Sequence, residues 1–216
     1  MMIIKLRNFV VLLVFFGAVV AQPVKAQEMQ EVISNMTEML DLSEKQAVQV
    51  QTLLVQYRAN MDGVLLKHEG EEEPDVGAMI GEIRDLRDNY RKDLQTILSK
   101  DQYDAYLAQM DTILSDMFND LAEIRLMDIQ DDAALTDAQM ESLVPIVGNG
   151  LKKTVQLLFE NAGGRLSVPK KIKISKSLKK IEKEQRAGME NVLTPDQLQL
   201  YDAIKEEQKQ ARKNKK

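Results

Sequence analysis

Leu193-Thr194-Pro195-Asp196-Gln197 has three counterparts in the chain: Leu42-Ser43-Glu44-Lys45-Gln46, Leu98-Ser99-Lys100-Asp101-Gln102 and Leu135-Thr136-Asp137-Ala138-Gln139. All four fit Leu-[Ser/Thr]-x-x-Gln, and the physics of helix starts accounts for each position. Ser or Thr at the N-cap accepts a hydrogen bond from the N3 amide, and Gln at N3 reaches back to accept one from the N-cap amide. The Leu ahead of the cap can staple onto the N4 residue, which is Ala47, Tyr103, Met140 or Leu198 in turn. Pro195 falls at N1, where its missing N–H costs nothing and its fixed φ suits the helix. The motif therefore predicts four helix starts and an all-α fold.

The ends and the totals bound the rest. Lys5 and Arg7 precede a short apolar run, Phe9 to Ala21, and Val24-Lys25-Ala26 offers small residues for cleavage before Gln27. This reads as a signal peptide over residues 1–26, with cleavage after Ala21 as the alternative. The run is shorter than the roughly 20 residues that span a bilayer, so no stable membrane insertion is expected. With no cysteine in the chain, a lipoprotein anchor, disulfides and thiolate metal sites are all excluded. An exported, cysteine-free protein points to the periplasm. The mature part is rich in Leu, Met, Gln, Lys, Glu and Asp and has no Trp, a helical composition. Charge is divided: residues 27–134 carry 24 acidic against 9 basic side chains, and residues 135–216 carry 10 against 17. Such halves attract each other before anything else.

Apolar periodicity fills in the elements. A first helix is predicted over 28–41, on Met29, Val32, Ile33, Met36 and Leu40. The first capped helix runs from Glu44 to about His68, ending at Gly70 before an acidic loop, Glu71 to Asp75. A third helix begins near Gly77. From Ser99 the pattern continues to about Asp128, with Tyr106, Leu107, Met110, Ile113, Leu114, Met117, Leu121 and Ile124 on one face; the competing reading is a break near Asn119. The third motif copy opens a helix with Met140, Leu143, Val147, Leu151, Val155 and Leu158 inward, and Pro145 inside it predicts a kink. Gly163-Gly164 closes that helix. Arg165 to Ile174 reads as loop or extended chain, a basic helix follows over about 175–191, and Lys209 to Lys216 reads as a fraying basic tail after the last helix.

The motif copies fall in two pairs. Copies one and three are 93 residues apart, copies two and four 95; within a pair the spacings are 56 and 58. Arg91, Leu94, Ile97 and Leu98 match Arg186, Met189, Val192 and Leu193 at identical spacing. This is the signature of a tandem duplication, with helical units at 27–128 and 129–216. At this point the chain resembles the Spy/CpxP family of periplasmic Leu-Thr-x-x-Gln proteins, whose members carry two such motifs in one small all-helical unit. That family dimerises into a thin, curved cradle and acts in envelope stress, as an ATP-independent chaperone or a sensor-inhibiting partner. The resemblance implies that one polypeptide holds here what the family builds from two: elongated helical hairpins forming an intrachain pseudo-dimer, with a homodimer as the alternative. Two copies have Ser for Thr, and the acidic first half contrasts with the family's basic cradle face. Pro145, Gly148 and Gly150 stand where Thr52, Val55 and Tyr57 align.

Chemistry is sparse. His68 is the only histidine, so imidazole and thiolate metal sites are not expected. Met36 and Met39 suggest a thioether site for Cu(I), but methionines on apolar stripes read first as core, or as an adaptable binding face. The Glu71–Asp75 cluster lacks the spacing of an EF-hand loop. No nucleophile–base pair and no phosphate-cradling glycine loop stands out, so no catalytic residue, cofactor or enzyme activity is assigned. Lys170, Lys171, Lys173, Lys176, Lys179 and Lys180 form the one unusual surface patch, suited to an acidic client or anionic lipid; without stacking aromatics, nucleic acid is not expected. The function expected is binding of unfolded or envelope proteins by a chaperone-like or stress protein. The alternative is an adaptor docking one envelope partner, such as a sensor domain.

Overall fold

The computed structural model describes residues 26–69, 75–163 and 167–213. The signal-peptide reading, most of the acidic loop, Arg165 and the last three residues lie outside them. All regular structure in the described residues is helical: α1 (Ala26–Leu40), α2 (Glu44–Glu69), α3 (Val76–Ile97), α4 (Lys100–Gln130), α5 (Asp137–Asn161), α6 (Val168–Glu190) and α7 (Pro195–Lys213). None of these helices is long and apolar enough to cross a membrane.

The described residues form two compact units. One comprises those up to Thr112 together with Phe159–Leu166; the other comprises Ile113–Leu158 and Ser167 onward. Sequence repeats and compact units thus divide the chain differently. The 93-residue offset maps α1 onto the second half of α4, and the 95-residue offset maps the start of α7 onto the start of α4. In repeat terms, α4 is the last helix of one copy continuing into the first helix of the next. No break occurs near Asn119.

In the first unit, α2 and α3 pack lengthwise as a helical hairpin. Ile33, Leu40, Val50, Leu54, Tyr57, Met61, Ile83, Tyr90, Leu94 and Tyr106 form its buried interior. Asp75 caps α3, its carboxylate accepting from the Ala78 amide at 3.0 Å. The last turn of α5 and the residues just after it are held against α3. Arg87, only 3% exposed, donates to Glu160 at 2.9 Å and to Asp88 at 2.7 Å, and lies 4.7 Å over the Phe159 ring. Burial opposes its charge, and the bonds to Glu160 and Asp88 more than offset that. Arg84 caps the same segment through the Ala162 carbonyl at 2.5 Å. Gly81 and Gly163 make the approach possible. A Cβ on Gly81 would lie 3.0 Å from the Gly163 Cα, and Gly163 sits at φ +97°.

In the second unit, Ala122, Leu126, Ile129, Leu135, Met140, Leu143, Val147, Met189 and Leu193 share one core. Here the face of α4 differs from the sequence reading. The buried row is Leu114, Phe118, Ala122, Leu126 and Ile129, whereas Ile113 and Ile124 are 38% and 59% exposed. Four-residue steps turn the row by about 40° each, so from Leu114 to Leu126 the buried face rotates roughly 120° and leaves Ile124 outside. In the helix opened by the third copy, Leu158, expected inward, is exposed at the end of α5. The helix α5 runs through Pro145 without interruption. Its glycines permit close packing: a Cβ on Gly148 would fall 2.3 Å from the Asn119 side-chain oxygen, and one on Gly150 2.8 Å from the Gln185 side chain.

Two boundaries need correction. Residues 168–174 are helical, not loop or extended, because α6 starts seven residues earlier than its apolar stripe suggests. The Lys/Ile alternation there imitates a strand, but Ser167 at the N-cap, Pro169 in the first turn and a run of good helix formers favour a helix. Likewise α7 extends to Lys213, past the point where the tail was expected to fray.

Candidate functional site

The four motif copies come together in two pairs, one inside each unit. Every copy has capping-box geometry. The cap residues Ser43, Ser99, Thr136 and Thr194 donate their N–H to the Oε1 of Gln46, Gln102, Gln139 and Gln197 at 3.1, 2.9, 3.1 and 3.1 Å. The Gln amides return the bond to the cap hydroxyls at 3.2–3.3 Å. Leu42, Leu98, Leu135 and Leu193 are all buried.

What the capping rules do not require is the use made of the other end of each Gln. Gln46 Nε2 donates to the Ile97 carbonyl at 3.0 Å and to Gln102 Oε1 at 2.8 Å. Gln102 Nε2 donates back to the carbonyls of Leu40 and Asp41 at 3.0 and 3.2 Å. The second unit repeats this. Gln139 Nε2 reaches the Val192 carbonyl and Gln197 Oε1 at 3.1 and 2.9 Å, and Gln197 Nε2 reaches the carbonyls of Ala133 and Ala134 at 3.2 and 3.1 Å. Each Gln therefore caps its own helix start with its oxygen and satisfies carbonyls at the opposite junction with its nitrogen. Glu at N3 would complete a capping box equally well but has no N–H to give. The occurrence of Gln in all four copies was the available signal for this clasp.

Asp41 and Ala134, at φ 48° and 46°, end α1 and α4 in equivalent places. Leu42 and Leu135 donate to the carbonyls five residues back, Thr37 and Gln130, at 3.0 and 2.9 Å. This is a Schellman closure whose following Leu also serves as the apolar residue ahead of the next cap.

The lysine patch has a different setting. Lys170, Lys171, Lys173, Lys176, Lys179 and Lys180 all lie on α6 and are exposed. Only Lys180 reaches a carboxylate, Glu184 at 3.9 Å, among the described residues. Beside the C-terminal part of α6, a groove of about 680 Å³ runs between α6 and α7. Met189, Leu198 and Tyr201 line it, between Lys179, Glu182, Lys183, Arg186, Asp202 and Glu206. In the first unit a smaller groove, about 400 Å³, lies between α1 and α2 along Ile33, Thr37, Ala47 and Val48. Met39, Val48, Val55, Leu66, Ile124, Met127, Val168 and Ile172 are large apolar side chains left exposed. Met36 is half-buried and Met39 exposed. His68 is buried, with Nε2 3.4 Å from Glu82, whose carboxyl is held below its usual range chiefly by the hydrogen bond from Lys67. No group of three or more His, Cys, Asp or Glu among the described residues is arranged to hold a metal ion.

These features define an all-helical protein built on paired capping motifs. A family model described as a domain of unknown function (DUF4890) matches residues 19–106, less than half of the chain. The matched span contains motif copies one and two and ends shortly after the second. No curated protein and no solved structure matches the chain. Nothing in these comparisons ties it to the Spy/CpxP family, so that resemblance rests on the four motif copies.

Proposed function

We propose that this chain is a periplasmic, ATP-independent chaperone-like or envelope-stress protein that holds unfolded or partner proteins. The observation that carries the reading is the groove between α6 and α7, with an apolar lining of Met189, Leu198 and Tyr201 between charged edges of both signs. Such a surface gives shallow apolar contact through the half-buried Leu198 and Tyr201, and its charges speed encounter without fixing one geometry. The exposed Val48, Val55, Leu66, Ile124 and Met127 supply further single apolar contacts among polar neighbours. Weak, reversible retention of many clients follows from contacts of this kind, and no catalytic step is part of the proposal.

The test is aggregation of several unrelated substrates, without ATP, in the presence of residues 27–216 at low and high salt. Suppression across substrates at near-stoichiometric ratios supports the reading, and loss at high salt assigns the encounter to the charged edges. Failure to protect any substrate sinks it, and an adaptor docking one envelope partner then takes its place.

A further inference from the structure

We propose that the first half of α6 is a docking surface for an anionic phospholipid bilayer. Between Val168 and Ile181 the chain has six lysines and no carboxylate. Lys170, Lys171, Lys173, Lys176 and Lys179 are exposed and pair with no carboxylate among the described residues. The half-buried positions of α6, Ile174, Ser177, Leu178, Ile181, Gln185 and Gly188, recur every three or four residues and form the face turned to its own unit. On the opposite row stand Val168, Ile172, Lys176, Lys179 and Lys183, all exposed. The two apolar members of that row, one turn apart, are 69% and 52% exposed.

Three features favour a lipid surface over an acidic protein. The cations of this half of α6 are all Lys, the first Arg of the helix being Arg186. Lysine is a flexible point charge suited to a diffuse anionic plane, whereas fixed recognition of protein carboxylates favours the bidentate guanidinium. Lys176 and Lys179 stand in the outward row and Lys171, Lys173 and Lys180 flank it, so a plane can meet these five together, whereas Lys170 falls on the side of Ile174 and Ser177. Val168 and Ile172 lead the row, where two shallow apolar side chains can enter the headgroup region while the lysines stay at the phosphates. The Ser167 side chain makes no cap bond, and the helix dipole adds partial positive charge at this end of α6.

The experiment is cosedimentation of residues 27–216 with vesicles of phosphatidylcholine alone and of phosphatidylcholine with phosphatidylglycerol. Binding is expected only with the anionic lipid, and it should fall steeply as salt rises. Each lysine near such a surface is worth about fivefold in partitioning, so the variant K171Q/K173Q/K176Q/K180Q should bind more weakly by at least ~100-fold. K45Q/K92Q/K100Q removes exposed lysines elsewhere and should bind nearly as the parent does. Circular dichroism of both variants checks that helix content is kept. No binding to phosphatidylglycerol vesicles overturns the proposal, as does equal loss in the two variants. Capture of acidic proteins without vesicle binding also overturns it and assigns the face to a protein partner. Chaperone activity is read separately, so either proposal can fail alone.

Discussion

Replacing Gln46 and Gln102 by Ala, singly and together, tests the clasp. Gln46 makes four bonds: its oxygen accepts from the Ser43 N–H and hydroxyl at 3.1 and 3.0 Å, and its nitrogen donates to the Ile97 carbonyl and Gln102 at 3.0 and 2.8 Å. Water can replace the first two, which are exposed. The two crossing bonds are partly buried, and each is worth about 1 kcal/mol net. Gln46→Ala should therefore cost about 2 kcal/mol. Gln102→Ala loses the shared bond and the bonds to Leu40 and Asp41, and should cost about as much. The double variant loses the shared bond only once, so its cost should fall short of the sum by about 1 kcal/mol. Gln139 lies in the other pair and shares no partner with Gln46, so Gln46→Ala/Gln139→Ala should be additive within ~0.5 kcal/mol. The assay is urea unfolding followed by circular dichroism, read in whichever transition the single variants move. Coupling below ~0.3 kcal/mol between Gln46 and Gln102 would refute the clasp, as would equal coupling in the control pair.

Other perturbations probe separate parts of the argument. Ala134→Gly relieves a left-handed residue and should stabilise by ~0.5–1 kcal/mol, read from the urea midpoint, with a loss counting against the Schellman closure. Gly148→Ala places a methyl against the Asn119 side chain and backbone and should cost ~1–3 kcal/mol, whereas Gly63→Ala, with nothing within 4 Å, should stabilise α2 by up to ~1 kcal/mol. Burial raises the titration of Tyr57 and Tyr90, and that of Tyr106 to about 12. Because the folded values lie above the unfolded ones, the neutral phenols cost nothing below about pH 10, and stability should fall as pH rises through about 12. Tyrosinate absorbance should then rise together with unfolding, and a gradual rise in the intact fold would contradict the burial.

The helix starts were legible because capping is local: a Ser or Thr, a Gln three residues on and a Leu before them suffice without knowledge of the fold. The pairing of copies was also present in the spacing, but not the contact that makes it. Side-chain faces were harder to read where tertiary context decides. Along α4, Leu107, Met110, Ile113, Leu114, Met117, Phe118, Leu121, Ile124 and Leu126 offer more than one apolar row, and the buried row turns around the helix. A stripe of fixed period cannot follow that turn. Arg87 illustrates the same limit. A charged residue among Asp and Arg neighbours reads as solvated until the last turn of α5 closes over it, a contact 73 residues away.

Gln46→Glu separates the two jobs of the motif. Glutamate can accept the Ser43 amide as Gln does, so a motif that acted only as a helix cap would tolerate the exchange within a few tenths of a kcal/mol. In the clasp, the carboxylate would instead face the Ile97 carbonyl and the Gln102 side chain, two positions that the native nitrogen donates to. Two acceptors would confront an anion, and the variant should be less stable at neutral pH than Gln46→Ala, which leaves no charge behind. Protonation restores a donor, so the folded state should bind this proton more tightly than the unfolded chain. Stability of the Glu variant relative to the Ala variant should therefore be fully present below the ordinary carboxylate value near pH 4.3 and be lost as pH rises from there through the raised value of the folded state. Parallel pH profiles for the two variants would show that the nitrogen of Gln46 carries no weight, and the motif would be a helix start alone.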